Sequence, residues 1–235
     1  MPRTDYQATQ TGSPRLLAPL ALASASPRRA GILSDAGFRF DVSPANVNES
    51  AVAAETPEQM AVRLAETKAA SVAARRPGDI VLGADTLVVL DGQALGKPSD
   101  EAEATDMLRR LRGRSHDVIT GIAVAGACRP VSMAEVTRVV FRAYSDVEIQ
   151  EYVSSGRPLD KAGAYGIQDE PFSPAASFTG CYLNVVGLPL CAVTRLLRQA
   201  GCTAEDDTLP ECPGPGCAGA DLMDTRAHTT TRTSR

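Results

Sequence analysis

The sequence of 235 residues predicts a single α/β domain in which strands alternate with helices. Apolar residues make up 43% of the chain, enough for a hydrophobic core, although only 4% of residues are aromatic. Strand-like and helix-like apolar patterns alternate over residues 19–200, with glycine, proline and aspartate at the turns between them. The flanking segments lack this pattern, so we expect residues 1–18 to form a flexible arm and residues 201–235 a disordered tail.

The first half of this domain contains two short strands and two helices. The apolar stretch 19–23 predicts a buried strand, and Pro27 is suited to the first turn of the helix that follows. Gly37 fits the left-handed conformation that commonly ends a helix, and residues 38–42 alternate as a strand. The sequence Thr-Pro-Glu-Gln at 56–59 is a capping box, which predicts the start of a second helix.

The second half begins with a long apolar strand over residues 79–90. The dipeptide Asp91-Gly92 follows it and is the strongest hairpin signal in the chain. The remaining predicted elements are a helix over 99–111, strands over 118–125 and 136–141, a helix over 145–153 opened by a capping box, and a helix over 189–199.

Charge and composition exclude several classes of function. The chain carries 24 basic and 28 acidic residues, a net charge of −4, which argues against nucleic acid as a partner. The apolar run 16–23 resembles a signal peptide, but it has only eight residues and contains Pro19. No stretch approaches the roughly 20 apolar residues of a membrane span. We therefore expect a cytoplasmic protein that does not bind membranes.

The six cysteines do not follow the pattern of a disulfide scaffold. No CxxC pair occurs, and we expect reduced thiols. Cys212 and Cys217 flank a Pro-Gly-Pro-Gly segment, so a zinc site in the tail is an open alternative.

Residues 24–29, Ser-Ala-Ser-Pro-Arg-Arg, lie between a predicted strand and a predicted helix start. Hydroxyl groups and backbone N–H groups at such a position bind anions, and Arg28 and Arg29 add planar donors suited to phosphate oxygens. The alternative is an ordinary helix cap with two solvated arginines.

Asp85 interrupts the long apolar strand within the sequence Gly-Ala-Asp-Thr at 83–86. A carboxylate among valines and leucines is costly to bury unless it is paired or binds a metal, so Asp85 is a candidate functional residue. The alternative is a turn residue at a sheet edge.

The segment 92–99, Gly-Gln-Ala-Leu-Gly-Lys-Pro-Ser, is superficially similar to a phosphate-binding P-loop. It is one residue too short, and Pro98 stands where the motif needs serine or threonine. We reject the P-loop, while Lys97 can still serve as a single phosphate-binding cation.

Residues 160–168, Asp-Lys-Ala-Gly-Ala-Tyr-Gly-Ile-Gln, combine polar side chains with small residues that let the backbone approach a ligand. Gln168 offers a donor and an acceptor, as reading a base edge requires, and the alternative is an ordinary glycine-rich loop. The chain has only His116 and His228, so a catalytic triad is not expected, and His116 is predicted to be a structural residue at a strand start.

Five segments in this order resemble the Maf family of nucleoside triphosphate pyrophosphatases: residues 24–29, 83–86, Gly-Lys-Pro at 96–98, 160–168, and Asn-Val-Val-Gly-Leu-Pro-Leu at 184–190. The resemblance extends from about residue 20 to residue 197. It implies a mixed α/β fold with two lobes around a cleft, related to the inosine-triphosphate pyrophosphatases, and homodimers are common in this family.

The resemblance also implies a reaction. Family members hydrolyse a nucleoside triphosphate between its α and β phosphates and require a divalent cation, Mg²⁺ or Mn²⁺. By the resemblance, Asp85 matches the general base, and Glu49 matches an acidic residue that acts in catalysis and, with Asp85, on the metal. Lys68 and Lys97 match the catalytic lysines, and Ser24 and Arg29 match the phosphate-binding loop. The residues that select the substrate are matched by Arg28, Thr86 and Gln168.

The segment Tyr165–Gln168 is similar to the family branch that acts on dTTP and UTP. Two alternatives stay open: a house-cleaning pyrophosphatase for other or modified nucleotides, and a nucleotide-binding regulator of cell division with little catalysis. Three positions depart from the family pattern: Arg157 replaces an acid, Asp169 replaces a glycine, and Arg112 replaces a serine. These departures bear on base preference and turnover more than on the class of reaction.

Overall fold

The structure, a computed structural model, describes residues 14–203 and 209–210. The strands are β1 (Leu20–Leu22), β2 (Phe40–Val42), β3 (Ile80–Leu90), β4 (Gln93–Leu95), β5 (Ser115–Gly126), β6 (Val131–Phe141) and β7 (Ala175–Thr179). The helices are α1 (Pro27–Asp35), α2 (Pro57–Ala73), α3 (Glu101–Leu111), α4 (Asp146–Ser154), α5 (Tyr182–Val186) and α6 (Leu190–Ala200). Two short 3₁₀ turns, Arg157–Asp160 and Ala162–Ala164, lie between α4 and β7.

The strands form one mixed sheet in the order β2-β1-β3-β5-β6-β7, with β4 paired to the end of β3. β1 runs parallel to β2 and β3, while β3, β5, β6 and β7 are successively antiparallel. The expected hairpin turn lies between β3 and β4, where Asp91 and Gly92 have φ of 54° and 77°. This mixed sheet with helices on both faces confirms the predicted fold class.

One face of the sheet carries two separate hydrophobic clusters. The first contains Leu82 and Ala84 of β3 with α1 and α6, and the second contains Val88 and Leu90 of the same strand with α3 and α4. Thr86 lies on this face between them. The division of the core into two clusters therefore leaves a cleft at Thr86, which agrees with the expectation of two lobes.

Helix α2 covers the opposite face, and two glycines let it lie unusually close. A Cβ atom at Gly83 would be 2.2 Å from the carbonyl oxygen of Ala65, and one at Gly121 would be 2.1 Å from that of Ala61. Such distances exclude any side chain at either glycine. The close approach brings the helix against β3 beside Asp85, which pairs in register with Gly121.

Most predicted elements are present, with some shifted bounds. The capping boxes at Thr56 and Ser145 are both formed. Helix α3 starts after Asp100, which caps it, because the Ser99 hydroxyl instead donates to Glu103. Three short elements were not predicted: β4, β7 and α5. Each has at most five residues, too few for a periodic pattern to be recognised.

The described parts of the two terminal segments pack on the domain. Leu16 forms an isolated antiparallel bridge with Thr203, and Leu209 is buried in the first cluster. A disulfide joins Cys128 to Cys202, so the expectation of reduced thiols is wrong for these two residues. The apolar residues Leu16 and Leu209, which fall in the predicted arm and tail, thus pack against the domain. The proposed zinc pair, His228 and the rest of the arm and tail lie outside the described residues.

Within residues 14–203 and 209–210, no helix is both long enough and apolar enough to cross a membrane.

Candidate active site

The cleft between the two clusters has a volume of about 670 Å³. Every site residue predicted from the sequence lies along it: Ser24, Arg28, Arg29, Glu49, Lys68, Asp85, Thr86, Lys97 and Gln168. These residues come from the turn after β1, the first turn of α1, the loop after β2, helix α2, strand β3, the segment after β4 and the loop before β7. The fold therefore brings together residues that span about 145 positions of the sequence.

Lys68 and Asp85 form a buried ion pair that lines the cleft. The Lys68 Nζ atom lies 2.6 Å from Oδ1 of Asp85 and 2.7 Å from Oε1 of Glu49. Lys68 and Asp85 are 8% and 7% exposed, whereas the side chain of Glu49 is largely open to solvent. The predicted cost of burying Asp85 within an apolar strand is thus offset by a cation from α2.

This pair leaves part of the Asp85 carboxylate available. Lys68 donates to Oδ1, and no described residue donates a hydrogen bond to Oδ2. A carboxylate held rigidly through one oxygen can accept a proton on the other. Asp85 is therefore placed to act as a general base toward a water molecule in the cleft.

Two carboxylates at this point also suit a divalent cation. No cluster of three or more histidine, cysteine, aspartate or glutamate side chains that could hold a metal occurs among the described residues. Asp85 and Glu49 nevertheless each place an oxygen within 2.7 Å of the same nitrogen, so both can reach one small cation. One or two carboxylates completed by substrate phosphate oxygens is a common donor set for Mg²⁺. The residues present fit such an ion.

Arg29 has a different environment from the one expected. Its guanidinium donates to the carbonyl oxygens of Gly187 and Ala84 at 2.9 Å, and to the hydroxyls of Ser24 and Thr86 at 3.0 Å. Four of its five N–H groups are thus bound to protein. Burial lowers the pKa of Arg29, and the nearby Asp85 opposes this effect. Arg29 ties the segment at the start of α1 to the two residues that flank Asp85 on β3.

Arg28 is more open to the cleft. Its Nη1 atom lies 3.2 Å from Oδ2 of Asp160, which joins the β1–α1 turn to the loop before β7. The side chains of Arg28 and Asp160 are 37% and 64% exposed, so an anion can compete for this arginine. At the same turn, Ser26 caps α1 by accepting from the Arg29 backbone N–H. Ser26 thus caps the helix, but only Arg28 of the two arginines is accessible to solvent or a ligand, because Arg29 is buried.

Lys97 lies on the wall of the cleft after β4. No carboxylate of the described residues lies within ion-pair distance of its ammonium group. A lysine that lines a cleft without a carboxylate partner suits a phosphate group. The structure agrees with the rejection of the P-loop, because residues 96–99 do not form the start of a helix around a phosphate-binding loop.

Thr86 and Gln168 also line the cleft. The Thr86 hydroxyl is 3.0 Å from that of Thr120 on β5 and accepts from Arg29. Gln168 lies in a turn of the loop before β7. Both side chains can donate and accept hydrogen bonds.

Sequence reasoning did not single out three residues that shape the site. Gly187 binds Arg29 through its carbonyl, and its φ of 124° lies in the region that favours glycine. Thr120 supports Thr86, and Lys161 pairs with Asp160 at 2.7 Å. Gly187 and Lys161 lie inside the motif segments, so the sequence could have indicated both residues as part of the site. Nothing in the sequence indicates Thr120, because its pattern is that of an ordinary strand residue.

A known family matches most of the chain. The family described as "Maf-like protein" matches residues 19–200 of this chain.

Curated relatives cover most of the chain. A protein of Symbiobacterium thermophilum named "dTTP/UTP pyrophosphatase" is 50% identical over 182 residues, 77% of this chain and 94% of the relative. Proteins with the same name from Koribacter versatilis and Thermomicrobium roseum are 49% and 48% identical, over 182 and 202 residues. These alignments cover 77% and 83% of this chain and 94% and 93% of the relatives.

Among solved structures, the Staphylococcus aureus Ham1 protein has a TM-score of 0.39 at 14% identity, over 52% of this chain and 71% of that chain. This likeness is too low to add to the argument.

Proposed function

The chain belongs to the Maf-like protein family, and from that premise we propose that it hydrolyses nucleoside triphosphates to the monophosphate and pyrophosphate, with dTTP and UTP as preferred substrates. The observation that carries the proposal is the buried Asp85–Lys68 pair in a cleft that is also lined by cationic side chains. Such a pair gives a fixed base beside groups that bind phosphate.

The cations that line the cleft would hold the triphosphate. Arg28 and Lys97 are accessible cations, and the Ser24 and Ser26 hydroxyls lie at the start of α1. Cations and helix N-termini both favour phosphate oxygens, and they offset the charge that develops on the departing pyrophosphate. Arg29 holds this loop in place through its four hydrogen bonds to protein.

Asp85 would accept a proton through Oδ2 from the water that attacks the phosphorus atom. Lys68 orients the carboxylate through Oδ1 and keeps its charge balanced within the apolar strand. No covalent intermediate with the protein is needed. The proton passes to Asp85, the new P–O bond forms at the α phosphorus, and pyrophosphate departs with the bonding electrons.

We propose Mg²⁺ or Mn²⁺ as the cofactor, held by Glu49 and Asp85 together with substrate phosphate oxygens. A divalent cation at this point would neutralise phosphate charge and orient the triphosphate. Lys68 already contacts both carboxylates, so its ammonium group would have to shift its contacts when a cation binds.

The base preference is proposed to depend on Gln168, Thr86 and Arg28. Gln168 supplies an amide N–H and a carbonyl oxygen, which match the acceptor and donor of the O4–N3 edge of thymine and uracil. A Gln168→Ala variant should lose preference for dTTP over dATP while still releasing pyrophosphate. An unchanged profile across nucleotides would contradict this role.

The experiment that tests the activity is pyrophosphate release from a panel of canonical and modified triphosphates with Mg²⁺ or Mn²⁺, using the full chain and Asp85→Asn. The matched control is Asp91→Asn, because Asp91 is a surface aspartate paired with Arg114 outside the cleft. We expect release by the wild type and the control only. No release by the wild type from any triphosphate would overturn the proposed function, whereas full activity in Asp85→Asn would overturn the assignment of the base.

A further inference from the structure

The turn that carries Gln168 is attached to the domain at both of its ends. The Asp169 backbone N–H donates to the Gly166 carbonyl oxygen at 3.0 Å, which closes a four-residue turn with Ile167 and Gln168 at its centre. Two buried side chains that the proposed reaction does not use form hydrogen bonds at or beside this turn. They are Tyr152 of α4 and His116 of β5.

Tyr152 binds the turn at two points. Its hydroxyl donates to Oδ2 of Asp169 and accepts from the Gly166 backbone N–H at 3.1 Å. The Tyr152 ring stacks on Phe172 at 4.3 Å between centroids, and it is 2% exposed. Burial, and the hydrogen bond to Asp169, raise the pKa of Tyr152, so its hydroxyl stays protonated. A single rigid side chain thus fixes the first and last residues of the turn.

Two of the three departures from the family pattern, Asp169 and Arg157, contact this tyrosine. The Asp169 carboxylate lies under Gly166, where a Cβ atom would be 2.8 Å from it. The Arg157 guanidinium lies 5.6 Å from the centre of the Tyr152 ring and donates to the Glu170 carbonyl oxygen. Asp169 and Arg157 therefore both act on the turn through Tyr152.

His116 supports the residue that precedes the turn. Its Nε2 atom lies 2.8 Å from the Tyr165 hydroxyl, and its ring meets that of Phe141 edge-on at 4.6 Å. Burial lowers the pKa of His116 to about 4, so the imidazole is neutral at neutral pH and does not serve as a phosphate cation. Its Nδ1 atom is buried without a hydrogen-bond partner among the described residues. The hydrogen bond to Tyr165 is thus the polar contact that this side chain makes.

We propose that Tyr152 with Asp169, and His116 with Tyr165, are positioning residues that hold the 166–169 turn and so set the base preference through Gln168. This inference rests on the proposed function. None of the four needs to touch the reacting phosphorus. Weakening either attachment should let Gln168 move, which would cost binding of the preferred pyrimidine more than binding of a purine nucleotide.

The test compares kcat and KM for dTTP and dATP in the full chain with Tyr152→Phe, Asp169→Ala, Tyr165→Phe and Asp169→Asn. The first three remove a hydrogen bond, and we expect the dTTP:dATP ratio of kcat/KM to fall about tenfold, the worth of one hydrogen bond in binding, mainly through KM for dTTP. Asp169→Asn keeps an acceptor oxygen for Tyr152, so it should retain most of the wild-type ratio.

Tyr144→Phe is the matched control. Tyr144 is buried in the same aromatic cluster, but its hydroxyl donates to the Leu108 carbonyl in α3 at 2.7 Å, away from the turn. We expect this variant to lose thermal stability and to keep the wild-type ratio. If the first three variants keep the ratio as well, or lose activity equally toward both nucleotides, the attachments are structural only and the proposal is overturned. Absence of pyrophosphate release by the wild type would instead overturn the proposed function on which the inference rests.

Discussion

The Lys68 ammonium lies 2.6 Å from Oδ1 of Asp85, at the point where helix α2 packs against strand β3. Both side chains are buried, and Gly83 and Gly121 provide the space that lets the helix backbone approach the sheet there. Removing either member leaves an uncompensated charge in the core, so the pair couples stability to catalysis.

Replacing Lys68 by methionine should lower kcat about a hundredfold or more, because Asp85 loses the group that orients it. Breaking a buried pair costs roughly 3–5 kcal/mol of unfolding free energy. Chemical denaturation and pyrophosphate release check both effects. The double variant Lys68→Met/Asp85→Asn is the control, because removing both charges should recover stability but not activity. Stability that is no higher in the double variant than in Lys68→Met would contradict the coupling.

Replacing Lys97 by glutamine should raise KM about tenfold or more with a smaller effect on kcat, because a charge-assisted contact to phosphate is lost. Steady-state kinetics at two salt concentrations measure this, since the difference from the wild type should shrink at high salt. Arg110→Gln in α3 is a matched control, because Arg110 is exposed and lies outside the cleft. An equal rise in KM in the control would mean that overall charge, rather than Lys97, binds the substrate.

The neighbouring arginines should respond differently to replacement by lysine. Arg29→Lys loses the planar fork that reaches Ala84, Thr86 and Gly187, so kcat should fall about tenfold or more. Arg28→Lys keeps a cation at an accessible position, so its effect should be smaller and appear in KM. Kinetics of the two variants side by side check this difference. The reverse order of effects would show that Arg29 contacts substrate directly.

His116 should make stability depend on pH between about 6.5 and about 4. Burial lowers its pKa to about 4 in the folded protein, so the unfolded chain binds the proton first as the pH falls. The contribution of neutral His116 to the free energy of unfolding is therefore fully present above about pH 6.5. It is lost progressively toward pH 4, by about 3 kcal/mol in total. Urea unfolding at a series of pH values should show this loss in the wild type and a smaller one in His116→Gln. Identical pH dependence in the two proteins would contradict a depressed pKa.

Reduction of the disulfide between Cys128 and Cys202 should destabilise the domain without stopping turnover. Cross-linking residues 74 positions apart restricts the unfolded chain by about 4 kcal/mol in the loop-entropy description. Neither cysteine lines the cleft, so activity should stay within about twofold of the oxidised protein. Thermal unfolding with and without a phosphine reductant measures the loss. The double variant Cys128→Ser/Cys202→Ser should unfold like the reduced protein and should not respond to the reductant.

The sequence by itself determined the fold class, most of the helices and strands, and the family. Capping boxes, the Asp91-Gly92 hairpin and the carboxylate in an apolar strand are local signals, because each depends on residues that are close in the chain. The motif segments therefore contain most of the predicted cleft residues, and the family resemblance adds Glu49 and Lys68. Asp85 was recognisable because a carboxylate is costly to bury in an apolar strand. Gln168 was recognisable because it offers a donor and an acceptor that an ordinary loop does not require.

Only the tertiary structure decided what each of these residues does. It assigned the Arg29 guanidinium to protein oxygens, brought Lys68 to Asp85, and joined Tyr152 to Asp169. It also paired Cys128 with Cys202, against the expectation of reduced thiols. These relationships join residues that are as few as 17 and as many as 158 positions apart. A side chain's partners depend on which elements pack together, and a local sequence pattern does not specify that packing.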